Sequence, residues 1–207
     1  MKINDEFYNL LDKQVPNPKC SLIYNKDYEL LIATVLSAQC TDERVNQVTP
    51  DLFSKYDIFG LSKCKKEDII NIIRPLGNMN KRSVYIIEIA KRLVQDYNGK
   101  VPCDREYLES LPGVGRKTAN VVLSNLFDVP AFAVDTHVSR VTKRLGISSE
   151  KDDVLEIENK LMNIFPPEKW GRLHHQFLLL GRHTCIASKP KCSECLLTKY
   201  CNYYKKL

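Results

Sequence analysis

The chain has no apolar run long enough to cross a bilayer. The longest, such as Phe177 to Leu180, are far too short, and Met1 to Leu11 carries Asp5 and Glu6 where a secretory signal would be hydrophobic. No signal peptide, transmembrane segment or membrane partner is therefore expected, and the expected location is cytoplasmic. No segment alternates polar and apolar residues for long, so a sheet-based fold is excluded, and there is no internal repeat, low-complexity tract or long linker. A complete Walker loop is also missing: Gly113-Val114-Gly115-Arg116-Lys117-Thr118 has Arg116 where the glycine before the lysine should stand, and no glycine at the required distance upstream.

Helices are what remain. Residues 2–11, 27–39, 44–55, 66–73, 135–145, 154–165 and 168–183 read as helical, with Pro50 a distortion or boundary inside the third. A further helix with Val84, Ile87, Ala90, Lys91 and Val94 on one face runs to Tyr97, where Asn98-Gly99 stops it. Short turns between such segments predict an all-α fold of one or two lobes, and 207 residues suffice for one good core or two small ones. The 31 Lys and Arg residues exceed the 25 Asp and Glu, and a net charge of +6 suits a polyanionic partner. Nothing points to an oligomer, so a monomer is expected.

The most informative stretch is Leu111-Pro112-Gly113-Val114-Gly115-Arg116-Lys117-Thr118-Ala119-Asn120. Helical composition precedes it from Asp104 to Ser110. After it, Ala119, Val122, Leu123 and Leu126 form an apolar stripe, so residues 104–127 read as two helices joined by a very short hairpin. Pro112 fixes one backbone angle, while Gly113 and Gly115 permit positive φ and leave no Cβ in the way of a close approach. The N–H groups that begin the following helix, with Arg116 and Lys117 beside them, make a ready site for a phosphate. On a helical wheel Lys117 falls with Asn120 and Ser124, away from Ala119, and faces a cleft or solvent. Taken alone, the same stretch is also compatible with a plain connection.

Eight cysteines in a reducing compartment point to metal ligation rather than disulfides wherever they cluster. Cys185, Cys192, Cys195 and Cys201 do cluster, in the spacing C-x6-C-x2-C-x5-C. One C-x2-C flanked by single cysteines fits a [4Fe–4S] cluster, with one thiolate per iron, better than the paired knuckles of zinc modules; zinc and unligated thiols are the alternatives. Lys189 and Lys191 lie between these ligands, on a loop that metal would brace, and can seat another phosphate. Cys20, Cys40, Cys64 and Cys103 stand singly and read as structural.

The hairpin, the Leu36-Ser37-Ala38-Gln39-x-Thr41-Asp42 run, Ala133-Val134-Asp135-Thr136-His137 and the four cysteines occur together, and in this combination the chain resembles the endonuclease III family of DNA repair glycosylases. The resemblance runs from Leu30 to Cys201. It implies a two-lobed helix-hairpin-helix glycosylase fold with a C-terminal iron–sulfur loop over residues 185–201. A central helical domain would span 22–132, and a terminal domain would combine 1–21 with 133–207. It further implies a base-excision enzyme on double-stranded DNA, releasing damaged, oxidised pyrimidines as a glycosylase and cleaving abasic sites as a lyase. A monofunctional mismatch glycosylase and a non-catalytic damage-binding module are the alternatives.

In that resemblance Lys117 matches the nucleophile, a role that requires the neutral amine, and Asp135 matches the essential carboxylate. Without the resemblance, Asp135 reads as a helix N-cap, and the two roles are compatible. A base inside a duplex must be turned out to be reached, and Gln39 with Leu76 are candidates to fill the vacated space. Gly113, Val114, Gly115 and Arg116 would hold phosphates, as would His137 and Arg140. The chain departs from the family pattern at Asn78, where an apolar residue is usual in the loop that wedges into the duplex.

Overall fold

The computed structural model describes residues 3–207. Among them the chain forms, in order, α1 (Asp5–Gln14), α2 (Asp27–Leu36), α3 (Asp42–Lys55), α4 (Ile58–Lys63), α5 (Lys66–Ile73), α6 (Met79–Tyr97), α7 (Arg105–Ser110), α8 (Arg116–Phe127), α9 (Thr136–Leu145), α10 (Val154–Ile164) and α11 (Trp170–His183). Short 3₁₀ turns join some of them, and no strand occurs among the described residues. The all-α expectation is met. No helix among the described residues is long and apolar enough to cross a membrane. The chain divides into two compact units, one of residues 20–127 and one that combines the segment up to Lys19 with Asp128–Leu207.

In the first of these units α2 is the centre. Every residue from Tyr28 to Leu36 is buried, as expected of a helix apolar on all sides, and α3, α6 and α8 pack around it. The two acids at its start are used inside the unit: Asp27 accepts the N–H of Val101 at 2.8 Å and Glu29 accepts that of Asn25 at 2.7 Å. Pro50 turns out not to end its helix; α3 runs through it from Asp42 to Lys55. A proline inside a helix costs about 3 kcal/mol, which burial of Val45, Val48, Thr49 and Leu52 offsets. The short α4 was not evident from periodicity; its start is set by Asp57, whose carboxylate accepts the Gly60 N–H at 2.7 Å.

The apolar face predicted for α6 is displaced. Arg82, Ser83, Ile86, Ile89, Ala90 and Leu93 are buried, whereas Val84 is 47 % exposed and Lys91 lies on the surface. Two of the inward residues are polar, so hydrophobic spacing alone selects the neighbouring face.

The second unit joins the two ends of the chain. Phe7 of α1 stacks on Phe165 at 6.4 Å, Phe165 meets Phe177 of α11 at 6.0 Å, and Phe177 stacks on Phe132 at 6.3 Å. Leu11, Val138, Val141, Leu145, Leu161 and Leu180 complete the same core. Asp12 of α1 accepts bonds from Arg172 at 2.8 and 3.0 Å and from Gln176 at 2.7 Å, which fixes α1 on α11. Because Phe177 is fully buried between two other rings, Phe177→Ala is expected to destabilise this unit by roughly 3–5 kcal/mol. Urea denaturation followed by circular dichroism measures this, and an unchanged midpoint would place the core elsewhere.

Candidate active site

The hairpin begins with α7, whose N-cap Asp104 accepts the Tyr107 N–H at 3.0 Å. Arg92 of α6 donates to the carbonyl and hydroxyl of Ser110 at 2.8 and 2.9 Å and lies 5.0 Å over the Tyr107 ring, and Tyr107 donates to Asp96 at 3.0 Å. Burial first, then the Asp96 carboxylate, holds the Tyr107 phenol well above its ordinary range, so it stays a donor. α7 is thus tied to α6 along its length.

The turn closes through the Val114 N–H to the Leu111 carbonyl at 3.1 Å, with Leu111 and Val114 buried and Gly113 and Gly115 exposed. Gly113 has φ +79°, and a Cβ there would lie 2.5 Å from the Tyr85 ring and 3.3 Å from Val35. Gly115 does not use the positive φ that glycine permits; a Cβ on it would meet nothing within 4 Å. The first glycine is needed for packing inward, the second leaves the backbone open outward.

Arg116 and Lys117, both exposed, form the first turn of α8, where a helix presents outward-pointing N–H groups and positive potential. One turn on, Ala119, Asn120, Val121, Val122 and Leu123 are all buried. Asn120 therefore does not share the surface of Lys117 as the helical wheel suggests, because α8 is enclosed on several sides once it leaves the hairpin.

Asp135, in the other unit, is the N-cap of α9, and its Oδ1 accepts the Val138 N–H at 2.7 Å. His137 follows in the first turn with its Nδ1 3.1 Å from Arg140 Nη2. Arg140 also donates to the carbonyls of Gly181 at 2.7 Å and Cys185 at 3.0 Å. These two bonds fix the end of α11 and the start of the cysteine loop.

Gln39 and Asn78 are exposed and sit on separate turns of the first unit, with φ of 62° and 48°. Leu76, expected beside Gln39 as a space-filling side chain, is only 5 % exposed and belongs to the core of its unit. Its side chain packs inward in the chain alone. Periodicity also missed Arg82, which is 6 % exposed and bonds the carbonyls of both turns, Leu76 at 2.6 Å and Ala38. No sequence signal marks it, because a lysine or arginine on a helix ordinarily reads as solvated.

In the C-terminal loop the four cysteines are grouped. Burial first, and then the proximity of Cys185, Cys201 and Cys192, pushes the Cys195 thiol up. Arg144 of α9 donates to the carbonyls of Ile186 and Ala187, each at 2.8 Å, lies 3.4 Å from the Cys185 sulfur, and stacks 4.6 Å over Tyr203. The Tyr204 N–H points at the Cys201 sulfur at 3.5 Å. No three His, Cys, Asp or Glu residues among the described residues form a site for a single metal ion. Lys189 and Lys191 are exposed on this loop and line a pocket with Ile186, Pro190 and Ser193; Lys191 is 4.0 Å from Glu194.

A helical hairpin with a cation-bearing second helix, in an all-α chain with a cysteine-rich terminal loop, defines a class, and residues 32–167 match it: the HhH-GPD superfamily base excision DNA repair proteins. The chain is 46 % identical to endonuclease III of Bacillus subtilis over 190 residues, 90 % of this chain and 85 % of that one. It is 40 % identical to the Escherichia coli K12 enzyme over 98 % of this chain and 96 % of the other. The structure superposes with a TM-score of 0.91 on a trapped endonuclease III–DNA covalent intermediate, 45 % identical over 100 % of this chain and 99 % of that chain. A thermostable thymine-DNA glycosylase, 26 % identical, gives a TM-score of 0.85 over 97 % and 95 % of the two chains. The chain belongs to the endonuclease III family.

Because Gly113 is both left-handed and in contact with Tyr85, Gly113→Ala is expected to cost about 1–3 kcal/mol and to displace the Tyr85 ring. Gly115→Ala, which meets nothing, is expected to leave the thermal midpoint within a degree or so. Equal midpoints for the two variants would contradict the packing described for the turn.

Proposed function

We propose that Lys117 is the nucleophile and Asp135 the essential carboxylate of a base-excision reaction on damaged, mainly oxidised, pyrimidines in double-stranded DNA. The chain is an enzyme of this family, a DNA glycosylase and abasic-site lyase. The observation that carries the residue assignment is the placement of Lys117, exposed in the first turn of α8 two residues after the exposed Gly115. A phosphate held by the N–H groups of that turn brings the adjoining deoxyribose to the lysine amine. The chain alone leaves Lys117 open to water, so the bound sugar has to supply the dry surroundings in which the amine reacts.

In the reaction the amine of Lys117 forms a bond to C1′ of a turned-out deoxyribose as the bond to the base breaks, and the base leaves with the bonding electrons. The carboxylate of Asp135 stabilises the positive charge developing on the sugar and takes the proton that the amine loses. Opening of the sugar ring leaves a Schiff base, loss of a C2′ proton expels the 3′ phosphate, and water releases the lysine. Gly113, Val114, Gly115 and Arg116 bind the strand at the hairpin. Gln39 enters the duplex, and His137, Lys189 and Lys191 reach further phosphates. The enzyme acts as a monomer.

The grouped thiols of Cys185, Cys192, Cys195 and Cys201, with the Arg144 guanidinium and the Tyr204 N–H aimed at two of the sulfurs, fit a [4Fe–4S] cluster. Bound, it cross-links the loop at four points and supplies no group to the reaction. It keeps Lys189 and Lys191 on a fixed surface.

Borohydride reduction in the presence of an abasic duplex tests the assignment. The wild type is expected to form a covalent adduct that Lys117→Ala abolishes, and no adduct from the wild type would overturn it in favour of a monofunctional glycosylase. Asp135→Asn retains an N-capping side chain, so its thermal midpoint should stay near wild type while single-turnover base release falls by roughly 100-fold or more. Wild-type rates in this variant would reduce Asp135 to a cap. As purified without oxygen, the protein is expected to be brown, with about four irons per chain; a colourless, zinc-bearing preparation would refute the cluster.

A further inference from the structure

Two turns of the first unit each raise an exposed amide side chain on a left-handed, non-glycine residue: Gln39 at φ 62° and Asn78 at φ 48°. Asparagine takes this conformation more readily than glutamine, so Gln39 in particular is held by its surroundings. One buried guanidinium does the holding. Arg82 Nη1 donates to the Leu76 carbonyl at 2.6 Å, its Nη2 donates to the Ala38 carbonyl, and the Cys40 thiol donates to the same Leu76 carbonyl at 3.3 Å. Neither turn has helix or strand bonding at these carbonyls, and each carbonyl lies within two residues of one of the exposed amides.

We propose that Arg82 is a positioning residue: it locks the two turns together so that Gln39 and Asn78 act as a pair, reading the donor and acceptor edge of a nucleobase at the excision site. An amide carries an acceptor and a donor group on one head, so it can pair with the acceptor and the donor of a base edge at once. Asn78 is then a specificity residue, where an apolar side chain would only fill space. This inference rests on the DNA-repair reading above.

The test measures dissociation constants of the full chain for four duplexes carrying a tetrahydrofuran abasic analogue opposite A, C, G or T. The wild type is expected to show a spread of about fivefold or more across the four bases. Arg82→Lys keeps the charge but not the fork that holds both carbonyls, and is expected to narrow the spread to about twofold or less. Gln39→Ala and Asn78→Ala are expected to narrow it non-additively, because the two amides act together. A lowered thermal midpoint in Arg82→Lys with the spread intact would show a merely structural arginine and overturn the proposal, as would a wild type without a spread. If Arg82→Lys does not fold, the Gln39 and Asn78 cycle decides, additivity being the refuting result. Wild-type adduct formation with borohydride is read separately, so a protein that forms the adduct yet ignores the opposite base sinks this inference alone.

Discussion

The backbone of the hairpin has to turn within five residues and still bring α8 out with its first turn facing solvent. That is possible only because Gly113 lies flat against Tyr85 and Val35 with a positive φ. Everything proposed for Lys117 follows from this contact. A wider turn would rotate the start of α8, and a lysine at the same sequence position would point at another surface. The apolar bulk of α2, buried along its length from Tyr28 onward, supplies the floor on which α8 rests, so the site depends on a core that makes no chemical contribution of its own.

A second device recurs in both units. Loops that lack regular hydrogen bonding are held by arginines whose guanidinium groups reach backbone carbonyls: Arg82 for the Gln39 and Asn78 turns, Arg140 and Arg144 for the loop that starts at Cys185. A guanidinium suits this use because its donors are fixed in one plane and satisfy two carbonyls at once. A buried carbonyl without a partner costs about 1–3 kcal/mol, so each such arginine keeps two loop segments in one arrangement. In a chain rich in cations, some of the positive charge is therefore structural, and only part of it is available to a polyanion.

Asp135 shows how a structural role and the chemical role proposed for it fit one residue. Its Oδ1 caps α9 through Val138, which fixes the carboxylate with respect to the helix, and a carboxylate already held in place loses little freedom when it meets a developing positive charge. Gly115 has no such double use: the turn does not require it, and by lacking a Cβ it leaves the backbone approachable.

Much of this was legible in the residues themselves. The Pro-Gly-Val-Gly hairpin, the cap at Asp135 and the cysteine spacing are local patterns, governed by turn chemistry, capping and ligand number, and each depends on residues only a few positions apart. The all-α character and most helix boundaries follow from the same short-range physics. What tertiary structure decided was which face of each helix is inward and which polar side chains are taken up by it. α6 turns Arg82 and Ser83 to the core instead of Val84, Leu76 is packed inward while Asn78 stands out, Asn120 is buried one turn beyond an exposed Lys117, and Arg140 bonds two carbonyls. These outcomes are set by partners far away in the chain, such as the Ala38 carbonyl for Arg82 or that of Cys185 for Arg140. Helical spacing records only that a residue can be buried; the neighbours that fold against it determine whether it is.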